Sequence, residues 1–320
     1  MTKDTKVKGV INKGGAKKLR ESVQDTNPLG ARFEREILSQ FNQLHSQNIW
    51  PDKEIEQCLL KDKQAEVEAL GKYPDYPRDL VKFNPSGASK TVMDLWLKAM
   101  GYNEITELYP YHRRWTRNST AVHEAVQHDL LYSEKYTDNF FRVGRMKNGL
   151  PAWEHNVLRW RELEHKGIKF IVNGMLDGIL IHEATGAHVG FEFKTKSNTV
   201  AQVGHYLLKR PYDYHVEQTV AYYLLTGVRD YLLVYEGLAK PRWKDMEEAK
   251  PDLRAFHVYI TDEMVEKLLD TWAYVAQSVY NREMPEDTEL GFFSGYGHLF
   301  DGDTFLGEAP DKKVHYRGWD

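Results

Sequence analysis

Two stretches, GMLDGILI at residues 174–181 and GFEFKTK at residues 190–196, decide the fold of this chain. The first is mostly apolar, and the second alternates aromatic with charged residues, as a β-strand with one buried face does. Side chains alternate across a sheet, so Glu192 and Lys194 project from one face of the second strand while Phe193 projects from the other. The sequence therefore predicts that a carboxylate and an ammonium group share one pocket.

A second carboxylate belongs to the same pocket. We expect Asp177 to lie in an apolar strand, between Leu176 and Ile179, where an isolated charge is costly unless an opposite charge or a metal compensates it. Two carboxylates and a main-chain carbonyl suit Mg²⁺, which keeps several waters and takes further ligands from phosphate. Two other interpretations remain: Asp177 and Glu192 pair only with Lys194 or an arginine, or the E-x-K pattern is an ordinary exposed strand face.

The surrounding sequence predicts a β-hairpin. Strands are expected at residues 168–173, 175–182 and 188–196, and the turn at residues 184–186 contains a glycine, as hairpin turns often do. The acidic residues therefore fall on adjacent strands of one hairpin.

A helix is predicted upstream, in NSTAVHEAVQHDLL at residues 118–131. Asn118 or Ser119 is its expected N-cap, and Val122, Val126 and Leu130 form its apolar stripe. His123 lies beside that stripe. By itself such a histidine is more often a packing residue than a ligand.

Another helix is predicted downstream, in YHVEQTVAYYLLTG at residues 214–227. Gln218 and Tyr222 are four residues apart there, which places both on one helical face. The order of these features along the chain is a helical histidine, a strand aspartate, a strand E-x-K and a helical Q-x-x-x-Y.

This order resembles the PD-(D/E)XK nuclease superfamily, specifically its RecB-like branch, which includes the Cas4-type nucleases; the resemblance covers residues from about 86 to 283. It implies an α/β fold with a restriction-endonuclease-like core, in which helices flank a mixed central sheet. It also implies a metal-dependent deoxyribonuclease that hydrolyses phosphodiester bonds.

The resemblance implies roles for individual residues. The implied ligands of one or two Mg²⁺ or Mn²⁺ ions are His123, Asp177, Glu192 and the main-chain carbonyl of Phe193, with Glu124 as second choice for the histidine. The implied catalytic residues are Asp177, Glu192, Lys194, Gln218 and Tyr222. Lys194 would position and activate water, and Gln218 and Tyr222 would orient the scissile strand or brace Lys194.

The chain departs from relatives that carry an iron–sulfur cluster. Such a cluster needs four cysteine ligands, whereas this sequence contains only Cys58, so no cluster is expected. Cys58 is interpreted as a small buried residue, with a reactive thiol as the alternative.

For the mode of action, the resemblance implies an exonuclease that processes DNA ends for recombination, replication or repair, as nucleases of this size encoded by phages and mobile elements often do. A single-strand annealing or single-strand binding protein is the implied partner. Two alternatives are a structure- or sequence-directed endonuclease and a non-catalytic DNA-binding or assembly protein with a vestigial nuclease core. The second is disfavoured because Asp177, Glu192 and Lys194 are all present. The histidines lack the short paired spacing of a structural zinc site.

The net charge of −4 is unevenly distributed, and local fields rather than the total attract phosphate. In YPYHRRWTRNS, residues 109–119, basic and aromatic side chains alternate in what reads as a loop ahead of the His123 helix. The predicted nucleic-acid-binding residues are Arg113, Arg114, Trp115, Arg117 and Tyr222. The alternative is a solvated loop whose aromatic residues pack inward.

The chain divides into four predicted segments: a flexible basic arm at 1–28, an accessory helical segment at 29–85, the nuclease domain at 86–284 and a loop-like tail at 285–320. No apolar run is long enough to span a bilayer, and the N-terminus lacks a hydrophobic signal core. We therefore expect a cytoplasmic protein, in the host cytoplasm if a phage encodes it. Oligomeric state is left open.

Overall fold

The computed structural model describes residues 27–72, 74–240 and 251–307, so nearly all of the predicted basic arm and the end of the predicted tail lie outside the described residues. The α-helices of the described part are α1 (Pro28–His45), α2 (Lys53–Ala69), α3 (Val92–Met100), α4 (Pro110–Tyr136), α5 (Asp213–Thr226) and α6 (Asp262–Asn281). Its strands are β1 (Lys82–Phe83), β2 (Phe141–Val143), β3 (Arg159–His165), β4 (Ile168–Gly174), β5 (Gly178–His182), β6 (His188–Lys196), β7 (Asp230–Gly237), β8 (Leu253–Tyr259), β9 (Phe300–Asp301) and β10 (Thr304–Phe305).

The central sheet has five strands in the order β2-β5-β6-β7-β8. Strands β6 and β7 are parallel and the other pairs are antiparallel, so the sheet is mixed. Helices α1 and α4 contribute to the core on one face, where Phe191 and Phe193 of β6 are buried. Helices α3, α5 and α6 contribute to the core on the other. The predicted fold class, a mixed sheet flanked by helices and consistent with a restriction-endonuclease-like core, is confirmed.

The predicted hairpin is present, because β5 and β6 pair antiparallel from Gly178↔Phe191 to Ile181↔His188. The strand expected at residues 168–173 is also present as β4, but it belongs to a separate three-stranded sheet, β1-β4-β3. Its buried Phe170 packs against Trp272 of α6 and Phe83 of β1. This packing separates β4 from the central sheet.

Helix α4 begins earlier than the sequence suggested. Its N-cap is Tyr109 and its first residue is Pro110, so the prediction that Asn118 or Ser119 caps this helix is wrong, as is the prediction of a loop at residues 109–117. Proline is favourable at the first helical position, where its missing N–H is not needed. Residues 110–118 are exposed on every face of the helix, and the buried stripe begins at Val126.

Helix α1 is part of the same core as the central sheet. Phe33, Ile37 and Phe41 are buried with Phe191 and Leu232 of the central strands. The predicted loop-like tail contains, in its described part, the short β9–β10 hairpin and a 3₁₀ turn at Gly297–Leu299. Among the described helices, none combines the length and the apolar character needed to cross a membrane.

Candidate metal centre

The centre lies where β5 stops pairing with β6. The last pair is Gly178↔Phe191. Asp177 lies at the bend just before β5, so the prediction that it is a strand residue is wrong. Past this pair the edge of β6 is open, and Asp177 Oδ2 accepts a hydrogen bond of 2.8 Å from the Phe193 main-chain N–H. The N–H and C=O of one strand residue point the same way, so the Phe193 carbonyl also faces this edge.

Glu192 and Lys194 share one face of β6, as predicted, and Lys194 Nζ donates a hydrogen bond to Glu192 Oε1. The Glu192 side chain is only 1% exposed, and its second oxygen, Oε2, is buried and has no hydrogen-bond partner within the described residues. Burial and the nearby charge of Asp177 raise the pKa of Glu192 to about 7. The carboxylate is therefore in a place that disfavours its charge unless a cation neutralises it.

The pKa values of Asp177 and Lys194 are shifted by the same surroundings. Burial raises the pKa of Asp177, although Lys194 and the Phe193 N–H oppose the rise. Burial by itself would lower the pKa of Lys194, but Glu192 and Asp177 outweigh burial and raise it. Lys194 is therefore an ammonium ion at neutral pH.

His123 of α4 reaches the same edge. Its Nδ1 lies 3.6 Å from Asp177 Oδ2, and its ring packs edge-on against Phe193. Burial and the charge of Lys194 lower the pKa of His123, which leaves a neutral imidazole able to bind a metal ion. Glu124, the second choice from the sequence, is exposed, so the structure favours His123.

A further acidic residue, Glu154, joins the site, although the sequence did not predict it. It begins the 3₁₀ turn Glu154–Val157, and ligand atoms of His123, Glu154 and Asp177 all lie within 4.8 Å of one another. Gln127 lies one turn after His123 on α4. Its Nε2 is 3.5 Å from both Glu154 Oε1 and the Asp177 main-chain oxygen, so it links these two residues. Burial, with the charges of Asp177 and Glu192, raises the pKa of Glu154 to about 8.

The backbone of Glu154 is unusual, with φ at 40°. Non-glycine residues rarely adopt this left-handed region, and those that do are concentrated at functional sites. The sequence around Glu154 contains no motif that predicts a role in the site, because the residues near it in the site are distant in the chain. The signal is the combination of strained backbone and convergent ligands, which only the structure shows.

A chain of hydrogen bonds supports the lysine. Lys194 Nζ donates to Gln218 Oε1 at 3.2 Å, and Gln218 Nε2 donates to Tyr222 Oη at 2.7 Å. Tyr222 is 4% exposed, so its hydroxyl lies beneath Gln218 rather than on the surface. Of the two roles predicted for Gln218 and Tyr222, this placement favours bracing Lys194.

The remaining predicted binding residues lie on the same helix as His123 but outside the metal centre. Arg113, Arg114, Trp115 and Arg117 are exposed on the first turns of α4. Trp115 is eight residues, or about two turns, before His123 on α4. Contact of these residues with nucleic acid stays a prediction.

The donors present fit a hard divalent cation. Asp177, Glu192 and Glu154 supply three carboxylates, His123 supplies a neutral imidazole, and Lys194 supplies the one positive charge among these residues. A partly buried excess of negative charge is unfavourable unless protons or a metal ion neutralise it. Oxygen and imidazole donors suit Mg²⁺ and Mn²⁺.

No protein-family model matches the sequence, and no curated protein matches it. Among solved structures, the chain is similar to SSO0001, with a TM-score of 0.38, 13% identity and coverage of 73% of this chain and 89% of that chain. It is also similar to the alkaline exonuclease LHK-Exo from Laribacter hongkongensis, with a TM-score of 0.39, 13% identity and coverage of 64% and 92%. The complex of LHK-Exo with dAMP gives a TM-score of 0.40 and 12% identity, with coverage of 64% and 90%. At these identities and scores the similarity does not define a function.

Proposed function

We propose that this protein is a metal-dependent nuclease that hydrolyses DNA phosphodiester bonds from DNA ends. One observation carries the proposal: ligand atoms of His123, Glu154 and Asp177 lie within 4.8 Å of one another beside the Glu192–Lys194 pair, and Glu192 Oε2 has no partner within the described residues. A divalent ion is the simplest group that satisfies this arrangement, and a phosphate is the ligand that such an ion and a lysine recognise together.

His123, Asp177, Glu154, Glu192 and the Phe193 carbonyl would hold one or two ions of Mg²⁺ or Mn²⁺. A bound ion would polarise the phosphate and stabilise the leaving oxyanion. Lys194, Gln218 and Tyr222 would position the reacting groups.

Lys194 keeps its proton, since its carboxylate neighbours raise its pKa. In this state its ammonium group orients the attacking water by hydrogen bonding and adds positive charge where negative charge develops. Gln218 holds Lys194 Nζ from the far side and Tyr222 holds Gln218, so these two act as positioning residues.

The preference for ends is supported by the projecting part of α4. Exposed arginines and aromatic residues at 110–118 suit a nucleic-acid backbone and unpaired bases, as found near a duplex end. A recombination exonuclease leaves single strands, so a single-strand annealing or binding protein is the partner class that we propose.

The test uses linear duplexes labelled at the 5′ or 3′ end, beside a covalently closed circle, with Mg²⁺ or Mn²⁺. Wild type should degrade the linear DNA and spare the circle, and Glu192→Ala should degrade neither while keeping its fold. Glu183→Ala is the matched control, because Glu183 makes an exposed ion pair with Arg142 away from the centre. Cleavage of the circle would establish an endonuclease instead, and full activity of both Glu192→Ala and Lys194→Ala would contradict the proposal.

A further inference from the structure

The open edge of β6 continues beyond the metal centre. Strand β7 pairs with β6 as far as Lys196↔Gly237, whereas the pairing of β5 with β6 ends at Gly178↔Phe191. The Lys196 carbonyl accepts from the Leu238 N–H on the β7 side. Since successive main-chain groups of a strand alternate in direction, the N–H and C=O of Thr195 face the open edge, as those of Phe193 do.

A pair of hydroxyl groups lies at this part of the edge. Ser119 Oγ of α4 and Thr195 Oγ1 of β6 are 2.7 Å apart, and both side chains are half-buried. Neither hydroxyl has another partner in the described parts of the chain. One hydroxyl donates within the pair, so the proton of the other stays available, and the Thr195 N–H is a second donor nearby. Two donors beside a metal centre suit an anionic oxygen ligand.

Helix α4 links this pair to the metal centre in regular steps. Gln127, His123, Ser119 and Trp115 follow one another at four-residue intervals on the helix. Each step rotates the side-chain direction by about 40°, since a turn has about 3.6 residues, so the row winds slowly around α4. Four residues correspond to a rise of about 6 Å, comparable with the distance between neighbouring phosphates of one strand. Trp115 is 47% exposed at the outer end of this row. The row therefore passes from His123, a proposed metal ligand, to the Ser119–Thr195 hydroxyl pair and then to the exposed ring of Trp115.

We propose that Ser119 and Thr195 form a subsite for the backbone phosphate next to the scissile one, on a single nucleic-acid strand that runs along α4, with a base stacked on Trp115. This rests on the proposed function, since the metal centre defines the scissile position. One helix and one strand edge contact a single strand. Hydroxyl and main-chain donors bind phosphate without reading bases, so the subsite accepts any sequence.

Binding, not cleavage, is the readout that tests the subsite. Fluorescence anisotropy in Ca²⁺ would measure the Kd of a labelled single-stranded oligonucleotide in which one phosphate at a time is replaced by an uncharged methylphosphonate. In wild type, replacement at one position next to the scissile phosphate should weaken binding about tenfold, the size of a hydrogen bond to a charged group. Ser119→Ala and Thr195→Val should bind the normal strand more weakly and show a smaller loss at that position, because one hydroxyl donor is removed and the Thr195 N–H remains.

Matched variants guard against indirect effects. Thr120→Ala removes a hydroxyl from the same helix that bonds only the Thr116 carbonyl, and it should behave as wild type. Thr195→Ser keeps the hydroxyl and should restore the methylphosphonate effect. An abasic nucleotide at the stacked position should weaken binding to wild type but not to Trp115→Ala.

The outcomes separate the two proposals. If the methylphosphonate effect persists unchanged in Ser119→Ala and Thr195→Val, or if wild type shows no such effect, the subsite is refuted even when DNA is cleaved. If the effect is found and is reduced in both variants while wild type cleaves nothing, the subsite stands and the proposed catalytic function fails.

Discussion

Lys194 bonds one carboxylate oxygen of Glu192, two residues before it on the same face of β6, and leaves the other oxygen buried without a partner among the described residues. An ion pair that satisfied the whole carboxylate would need no further ligand. The half-satisfied carboxylate, near Asp177 and Glu154, supports the proposed metal centre over a purely structural salt bridge.

The first prediction concerns the pH dependence of stability without metal. The pKa of Glu192 is raised from an ordinary 4.5 to about 7, so its contribution to folding stability is fully present below pH 4.5 and is lost as the pH rises through about 7. With a chelator present, wild type should lose stability over this range relative to Glu192→Gln, and Mg²⁺ or Mn²⁺ should restore it. Chemical denaturation at a series of pH values measures this. Identical pH profiles of the two proteins would refute the assignment of a buried, uncompensated Glu192.

The second prediction concerns Glu154, whose φ of 40° is strained for any residue except glycine. Glu154→Gly should stabilise the metal-free protein by about 1 kcal/mol, because it relieves backbone strain and removes a half-buried carboxylate. It should also weaken Mn²⁺ binding and slow cleavage by at least about tenfold.

The matched control for Glu154 is Arg282, the C-cap of α6, with a φ of 57°. Arg282→Gly should give a similar gain in the free energy of unfolding with unchanged Mn²⁺ affinity. If Glu154→Gly binds Mn²⁺ as tightly as wild type by isothermal titration calorimetry, Glu154 is not a ligand.

The third prediction concerns the support of Lys194. Tyr222→Phe keeps the buried ring but removes the acceptor of the Gln218 amide, so Gln218 no longer holds Lys194 in one place. The single-turnover cleavage rate should fall roughly five- to tenfold, the size of one neutral hydrogen bond, with unchanged affinity for DNA and Mn²⁺. Tyr223→Phe is the control, since the Tyr223 hydroxyl instead accepts from Arg229. A change in DNA affinity rather than rate would support direct nucleic-acid contact by Tyr222.

The fourth prediction concerns the segment before the sheet. Phe33 of α1 is fully buried against Phe141 and His182 of the central sheet, so Phe33→Ala should lower the free energy of unfolding by about 3–5 kcal/mol. Leu60→Ala on the exposed face of α2 should change it little. We propose accordingly that residues 29–85 do not fold as a separate unit. A stably folded, active protein lacking residues 1–72 would contradict this.

Much of the centre follows from local periodicity. The two-residue period of a strand predicts that Glu192 and Lys194 meet, and the four-residue spacing on a helix predicts that Gln218 and Tyr222 meet; the structure confirms both contacts. Their functional roles stay predictions. The start of α4 had a readable signal, the proline at position 110, which is common at the first position of a helix.

The parts that could not be predicted depend on distant contacts. Glu154 enters the centre from a turn between β2 and β3 with a strained φ, and its main-chain N–H donates to the carbonyl of Leu176, which is distant in sequence. The separation of β4 from β5 into different sheets likewise depends on packing against α6 and β1. Strand propensity identifies both strands but not their partners.

The most direct test measures Mn²⁺ binding and DNA cleavage on the same samples of wild type and Asp177→Asn, which keeps the shape of the side chain but removes its charge. Wild type should bind Mn²⁺ with an affinity that matches the Mn²⁺ dependence of cleavage. The variant should lose both Mn²⁺ binding and cleavage, while its unfolding transition stays as cooperative as that of wild type. Tight Mn²⁺ binding or full cleavage by Asp177→Asn would contradict a metal-dependent nuclease centred on this residue.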